Sequence, residues 1–220
     1  MKQHATLASL TALSAALCIA AALGLITPWL TFVFKPLTTL LVIAYAWPRG
    51  ADTPKQRRLI LIGLVLSLAG DVFLLWPKEG FLPGLVSFLL AHLAYIAAFC
   101  VPLRLAAKPL AFAVYAVVAA LILSQLWGGV PAGLRAPVVA YVVCLASMAA
   151  QAAAWWLKHP AEPAARWAAI GGVLFMASDS LLAINKFAAP VPLSALWILS
   201  TYWLAQWCIA SSLKRAPTSP

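Results

Sequence analysis

Long apolar segments follow one another along almost the whole chain, separated by short turns rich in proline, glycine and basic residues. A helix needs about 20 mostly apolar residues to cross the hydrocarbon core of a bilayer. The segments reach that length, and they lack the alternating pattern of barrel strands. The pattern therefore predicts an all-α, polytopic transmembrane bundle that forms one domain over residues 1–220. At this length per span, about eight spans are expected, near residues 6–26, 29–47, 58–76, 81–99, 109–127, 137–157, 166–186 and 193–213.

The composition supports this prediction. The chain is 65% hydrophobic and only 9% charged, whereas a soluble domain carries roughly 25% charged residues. The apolar segments leave no room for a separate soluble domain. The net charge of +10 lies mainly in short loops, so it indicates orientation in the membrane and contact with anionic lipid rather than nucleic-acid binding.

Basic residues are divided unequally between the loops of the two sides. One side carries most of them, namely Lys2, Arg49, Lys55, Arg57, Arg58, Arg104, Lys108, Lys158, Arg166, Lys214 and Arg215. The other side carries Lys78, Arg135 and Lys186. The positive-inside rule places the more basic side in the cytoplasm. We therefore expect an integral protein of a bacterial inner membrane with both termini in the cytoplasm, which agrees with an even number of spans.

Three ionisable residues interrupt apolar spans at a similar depth. At 1.5 Å per residue, Asp71 lies about 7 Å, Asp179 about 10 Å and Lys35 about 9 Å inside the outer end of its span. Such groups are costly in an apolar span and are functional candidates for that reason. We expect all three to line one polar pocket in the outer half of the bundle. The structural alternative is an ion pair between Lys35 and one aspartate that holds two helices together.

Two carboxyl groups in a pocket of low dielectric constant need not share a protonation state. Burial favours the neutral acid, whereas a neighbouring lysine favours the carboxylate. An asymmetric position of Lys35 would thus leave one of Asp71 and Asp179 protonated and the other ionised. That arrangement suits acid–base hydrolysis, and either aspartate can take either role at this point.

Other polar residues in the same spans are candidates for substrate binding. His92 and Tyr95 share one helix face and would orient a substrate or a water; a buried histidine satisfied by a neighbouring hydroxyl or carbonyl is the alternative. Asn185 and Lys186 lie at the outer mouth, where they would meet a phosphate headgroup, although Lys186 also fits an interfacial anchor. One histidine of three lies in a span, and the four cysteines lack ligand spacing. We therefore expect no metal and no cofactor.

The segments LAGDVFLLWPK and MASDSLLAINK align without gaps. The alignment matches Asp71 with Asp179 and Lys78 with Lys186. It pairs the third span with the seventh and suggests a four-plus-four internal repeat of unchanged orientation.

Four short patterns occur in order along the spans: Phe34-Lys35-Pro36, Gly70-Asp71, Phe88…His92…Tyr95 and Ser178-Asp179-Ser180. Together they resemble the YhhN-like lysoplasmalogenase family, and the resemblance covers spans two to eight. It implies an eight-helix hydrolase that cleaves the vinyl ether bond of lysoplasmalogen to a fatty aldehyde and glycerophosphoethanolamine or glycerophosphocholine. It also implies that Asp71 and Asp179 are catalytic. The lysophospholipid substrate would then lie among Lys35, His92, Tyr95, Ser178, Asn185 and Lys186.

Two other classes of function fit the same residues. Paired aspartates in a duplicated bundle also suit a proton-coupled transporter. A non-catalytic membrane protein is the third class, and it would tolerate asparagine at both aspartates. The sequence contains no GxSxG elbow, P-loop or dinucleotide fingerprint, so serine hydrolases and nucleotide-dependent enzymes are not indicated.

Overall fold

The computed structural model describes residues 2–214, with side chains from residue 5 onward. These residues form eight α-helices, two short 3-10 turns and no strand. The helices are α1 (Lys2–Ala22), α2 (Thr31–Ala46), α3 (Pro54–Phe73), α4 (Phe81–Phe99), α5 (Pro109–Leu126), α6 (Arg135–Lys158), α7 (Pro163–Phe187) and α8 (Ser194–Ser211). The predicted helical bundle is confirmed.

By length and composition, six helical segments of the described chain can cross a membrane. They correspond to α1, α2, α4, α5, α6 and α7. Helix α3 differs because it carries Arg57, Arg58 and Asp71 within 20 residues. Helix α8 differs because serine, threonine, glutamine and tryptophan residues interrupt its apolar sequence.

Some helices end earlier than the apolar pattern predicts. Helix α1 ends at Ala22, and Gly24 follows with φ of 72°. Helix α3 ends at Phe73 because the chain turns there; the Gly80 amide donates to the Trp76 carbonyl, and a Cβ on Gly80 would collide with the Phe73 carbonyl. Asp71 consequently lies in the last turn of α3 rather than about 7 Å inside its end.

Six helices form a closed ring in the order α2, α3, α4, α6, α7 and α8, and α8 returns to pack on α2. Helix α1 lies outside α2 and α8, and α5 lies outside α6 and α7. The buried residues of α5 are few: Ala111, Ala119 and Leu126. The ring therefore encloses the interior of the bundle, whereas α1 and α5 lie at its periphery.

The packing order of the first four helices recurs in the last four. Each helix from α1 to α4 packs on the next, as does each from α5 to α8, and the contact of α4 with α6 corresponds to that of α8 with α2. A four-plus-four repeat of unchanged orientation gives this order. It places Asp71 on α3 and Asp179 on α7 at equivalent positions in the ring, and the duplication itself stays a prediction.

Glycines allow neighbouring helices to approach closely, as is common in membranes. On α3, Gly63 lies against the Tyr95 ring, and a Cβ on Gly70 would come within 2.5 Å of Phe88. On α7, a Cβ on Gly171 would come within 2.8 Å of Ile209. These contacts define the α3–α4 and α7–α8 pairs.

One end of the bundle gathers the basic loops and is called the basic end here; it comprises the start of α1, the loops 47–53, 100–108 and 159–162, and residues 212–214. The Gly50 amide donates to the Lys214 carbonyl at 2.8 Å, and Arg49 Nε donates to the Leu213 carbonyl at 3.1 Å. Arg215, one of the basic residues counted on the more basic side, lies outside the described residues. The side of the membrane that the basic end faces stays a prediction.

Candidate active site

A cavity of about 410 Å³ lies in the half of the bundle away from the basic end, lined by residues of the ring helices and of α5. This is the size of a typical small-molecule pocket. Its wall is mostly apolar. The polar side chains on it are Lys35, Asp71, Tyr141, Ser178, Asp179, Ser180, Asn185, Lys186, Ser194 and Tyr202. The structure thus brings Lys35 and the two aspartates to one cavity.

Asp71 is buried and is held by hydroxyl groups from two other helices. Thr39 on α2 donates to Asp71 Oδ2 at 2.5 Å, and Tyr202 on α8 donates to the same oxygen at 2.8 Å. Lys35 Nζ lies 4.0 Å from Oδ1. Asp71 is therefore surrounded by groups that complement a negative charge.

Two amide or indole donors behind these hydroxyls fix the direction of their hydrogen bonds. The indole N–H of Trp203 can only donate, and it donates to Thr39 Oγ1 at 3.2 Å. Gln206 Nε2 donates to the Tyr202 hydroxyl at 3.3 Å. Each hydroxyl oxygen accepts a hydrogen bond on the side away from Asp71, so its own O–H is directed at Asp71. Two donated O–H groups and a nearby ammonium favour the carboxylate form of Asp71.

Asp179 has different surroundings. The Tyr141 hydroxyl on α6 donates to Asp179 Oδ2. His92 Nε2 on α4 lies 3.1 Å from that hydroxyl and 3.6 Å from Asp179 Oδ2. The side chain of Asp179 is 11% exposed, compared with 2% for Asp71. Asp179 is thus the more accessible of the two carboxyl groups.

His92 and Tyr95 do not line the cavity in the described part of the chain, and their part in substrate binding stays a prediction. Both are fully buried. His92 packs edge-on against Phe175, with 4.6 Å between ring centroids, and contacts the Tyr141 hydroxyl. The Tyr95 hydroxyl donates to Gln206 Oε1 at 2.7 Å. His92 therefore lies directly behind Tyr141, which contacts Asp179. Tyr95 lies farther from Asp71, behind Gln206 and Tyr202. The contact of His92 fits the alternative of a buried histidine with a hydroxyl partner.

Ser178, Asn185 and Lys186 do line the cavity. The Ser178 hydroxyl donates to a backbone carbonyl of α8 at 3.0 Å. Asn185 Oδ1 accepts from the Val191 amide at 2.9 Å and so fixes the loop between α7 and α8. Lys186 Nζ lies 4.1 Å from the centroid of the Phe81 ring, and Lys186 is exposed. The charge of Lys186 therefore remains at the mouth of the cavity.

Three hydroxyl residues of the site were not found by sequence reasoning: Thr39, Tyr141 and Tyr202. They carry no charge, so in an apolar span they look like packing residues. The only signal available is that a buried tyrosine hydroxyl usually has a hydrogen-bond partner. Among the described residues, no cluster of three or more histidine, cysteine, aspartate or glutamate residues is placed to hold a metal ion.

Comparison with known proteins identifies the family. The model of the YhhN family matches residues 30–213. The chain belongs to the YhhN family. The resemblance noted in the sequence is thereby confirmed.

Several curated relatives share this region. Human lysoplasmalogenase TMEM86A is 35% identical over 161 residues, which cover 70% of this chain and 64% of that protein. Human lysoplasmalogenase TMEM86B is 33% identical over 193 residues, covering 86% of this chain and 77% of that protein. A lysoplasmalogenase of Mycobacterium tuberculosis is 36% identical over 156 residues, covering 67% and 56%. The match thus spans less than two thirds of TMEM86A and of the mycobacterial protein, and no solved structure matches the chain.

Proposed function

We propose that this YhhN-family protein is an intramembrane hydrolase that cleaves the vinyl ether bond of a lysoplasmalogen. The products are a fatty aldehyde and glycerophosphoethanolamine or glycerophosphocholine. The observation that carries the proposal is one mostly apolar cavity that presents two carboxyl groups in unlike surroundings. The relatives named lysoplasmalogenase support the reaction class.

The shape and lining of the cavity suit a lipid with a single chain. Asn185 and Lys186 lie at its mouth, and the deeper wall is formed by apolar side chains such as Leu145 and Met176. Along α7, Lys186 lies about 10 Å from Asp179 at 1.5 Å per residue. A phosphate near Lys186 would place the ether oxygen near the level of Asp179 and the hydrocarbon chain against the apolar wall.

The first step is proton transfer to the vinyl carbon that is β to the ether oxygen, which produces an oxocarbenium ion. Asp179 is the acid in this proposal, because its carboxyl group is the more accessible to a substrate and, among the described residues, no lysine or arginine lies within salt-bridge distance of it. Its Oδ2 accepts from Tyr141, and the described residues make no hydrogen bond to Oδ1. A proton on Oδ1 is therefore free to face the substrate.

Asp71 acts in the second step. Its carboxylate stabilises the oxocarbenium ion and accepts a proton from the water that adds to it. The resulting hemiacetal then breaks its bond to the glycerol oxygen, its hydroxyl proton passes to that oxygen, and the aldehyde and the alcohol are released. The proton that Asp71 accepted then passes to Asp179, which restores both carboxyl groups and closes the cycle without a net proton change. Lys35, 4.0 Å from Asp71 Oδ1, favours the carboxylate form of Asp71 with which the cycle begins.

The test is aldehyde release from lysoplasmenylethanolamine by the purified protein in detergent, where no gradient exists. We expect turnover by the wild type and no cleavage of the saturated ether lipid, which has no double bond to protonate. Asp71→Asn and Asp179→Asn should each lose about 10²–10⁴-fold in kcat. The double variant should be scarcely worse, because groups that act as a unit are not additive.

Asp52→Asn is the matched control, because Asp52 is exposed at the basic end and pairs with Lys214. It should retain wild-type rates, and all variants should keep the wild-type elution profile. If the wild-type protein releases no aldehyde, the proposed activity is wrong. If the Asn variants release aldehyde at wild-type rates, the proposed roles of the aspartates are wrong, although the proposed activity is still supported.

A further inference from the structure

His92 is fully buried and titratable, yet it has no place in the reaction described above. Its Nε2 lies 3.1 Å from the Tyr141 hydroxyl. Its Nδ1 is buried and has no hydrogen-bond partner among the described residues. The partner of Nε2 and the lack of a partner at Nδ1 together determine which protonation form of the ring fits the site.

An imidazolium would carry a proton on each nitrogen, and so would leave an N–H at Nδ1 buried without an acceptor. That situation is rare and costly in proteins. The neutral ring with its proton on Nδ1 has the same orphaned N–H. The neutral ring with its proton on Nε2 avoids it, because Nε2–H has the Tyr141 oxygen as its acceptor.

The Tyr141 hydroxyl then accepts from His92 and has its own proton to give to Asp179 Oδ2. The same order of donors occurs at Asp71. There, Trp203 donates to Thr39, which donates to the carboxyl group. Both aspartates are thus held by a hydroxyl whose direction is fixed by an N–H group behind it.

We propose that His92 is a positioning residue, a neutral imidazole whose Nε2–H donates to Tyr141 and so directs the tyrosine hydroxyl at Asp179. Tyr141 lines the cavity and contacts the acid, so it is a further catalytic residue. The hydroxyl keeps Oδ2 occupied, leaves the acidic proton on Oδ1, and stabilises the carboxylate that forms when that proton leaves. The short distance of 3.6 Å between His92 and Asp179 is then not an ion pair.

The titratable groups near the pair come from three helices. Asp179 on α7 contacts Tyr141 directly, and Cys144 on α6 and Tyr202 on α8 lie near Tyr141. Phe175 covers the His92 ring on another side. In the described part of the chain, His92 has no salt-bridge partner other than Asp179.

The first test reads the ring directly and does not depend on activity. The chain has three histidines, so ¹⁵N-histidine NMR of the protein in micelles is simple, and His92→Gln assigns the His92 signals. We expect His92 to show the pattern of a neutral ring with the proton on Nε2. A His92 signal of the imidazolium or of the Nδ1–H form would overturn the proposal.

The consequence for catalysis rests on the proposed function and is tested with two substitutions of unlike chemistry. His92→Gln keeps an N–H donor without a titratable ring, whereas His92→Leu removes the donor. We expect the Gln variant to stay within a few-fold of wild type with an unchanged pH profile of kcat. The Leu variant should lose up to roughly tenfold in kcat with little change in KM, the range for one lost hydrogen bond between neutral groups. Tyr141→Phe should lose about 10²–10³-fold, as for loss of a preorganised donor.

His159→Gln and Tyr115→Phe are the matched controls, because neither residue lines the cavity, and both should behave as wild type. A Gln variant as inactive as the Leu variant would mean that the imidazole transfers a proton itself. A Leu variant with wild-type kcat would mean that the Tyr141 hydroxyl does not need a hydrogen bond from His92 to donate to Asp179. Either result would overturn the positioning role while the aldehyde release of the wild type still stands.

Discussion

At the scale of single residues, the site depends on hydroxyl groups as much as on carboxyl groups. Thr39 donates one of the two hydroxyl hydrogen bonds that Asp71 accepts, and it accepts a hydrogen bond from the buried Trp203 indole N–H. The neighbouring Thr38 is equally buried, but its hydroxyl bonds to the Phe34 carbonyl and to Ser14. The two adjacent threonines therefore differ in role: Thr39 bonds to the carboxyl group of Asp71, and Thr38 contributes to the packing of α1 on α2.

This difference gives a prediction for Thr39→Val and Thr38→Val. Valine keeps the shape of threonine and removes the hydroxyl group. A hydrogen bond to a charged group contributes about 1.5–3 kcal/mol, so Thr39→Val should lower kcat for aldehyde release roughly 10–100-fold. Thr38→Val should leave kcat near the wild-type value, and both variants should lower the melting temperature by similar amounts. Equal rates for the two variants would show that the Thr39 hydroxyl does not act on Asp71.

The charged members of the site could be predicted from the sequence, and the neutral members could not. Asp71, Asp179 and Lys35 stand out because a charge in an apolar span is costly. A threonine hydroxyl is inconspicuous there, since it often bonds to the backbone carbonyl one turn earlier in the helix. A tyrosine in an apolar span looks like an aromatic packing residue. In the structure the Thr39 and Tyr202 hydroxyls instead donate to Asp71 on another helix. Whether these hydroxyls bond to their own helix or to Asp71 depends on which helices pack together.

At the scale of the helices, the apolar pattern predicts the elements and their number but does not predict their pairing. Lipid is as apolar as the protein interior, so a membrane helix shows no clear stripe that marks its buried face. The ring closure of α8 on α2 and the peripheral position of α5 were therefore not predictable. The early end of α3 was missed because apolar residues continue into the turn that follows Phe73.

The close approach of α3 and α4 gives a prediction for Gly63→Ala. A Cβ on Gly63 would overlap the ring of Tyr95, which is fully buried and bonded to Gln206. Overpacking of this kind costs typically 1–3 kcal/mol, so the melting temperature in detergent should fall clearly. Gly133→Ala is the control, because nothing lies within 4 Å of a Cβ there, and it should melt like the wild type. If both variants melt alike, the two helices are not in the contact described.

At the scale of the whole molecule, the cavity and the basic loops occupy opposite halves of the bundle. The Lys78 turn and the mouth residues Asn185 and Lys186 lie away from the basic end, whereas Asp52 and Lys214 lie at it. If the basic end faces the cytoplasm, as the positive-inside rule predicts, the mouth opens at the outer leaflet. Orientation therefore determines which leaflet supplies the lipid.

Single cysteines at the two ends test the orientation in intact bacterial cells that express the protein. Lys78→Cys and Asp52→Cys place a thiol at exposed positions of opposite ends. The background carries Cys100→Ala, because Cys100 is partly exposed whereas the other three native cysteines are buried. A thiol reagent that cannot cross the membrane should label Lys78→Cys in intact cells, and should label Asp52→Cys only after the cells are opened. The reverse pattern would place the mouth at the cytoplasmic leaflet. The acid–base assignment would survive that result, since it rests on contacts inside the ring, but the lipid substrate would then have to come from the inner leaflet.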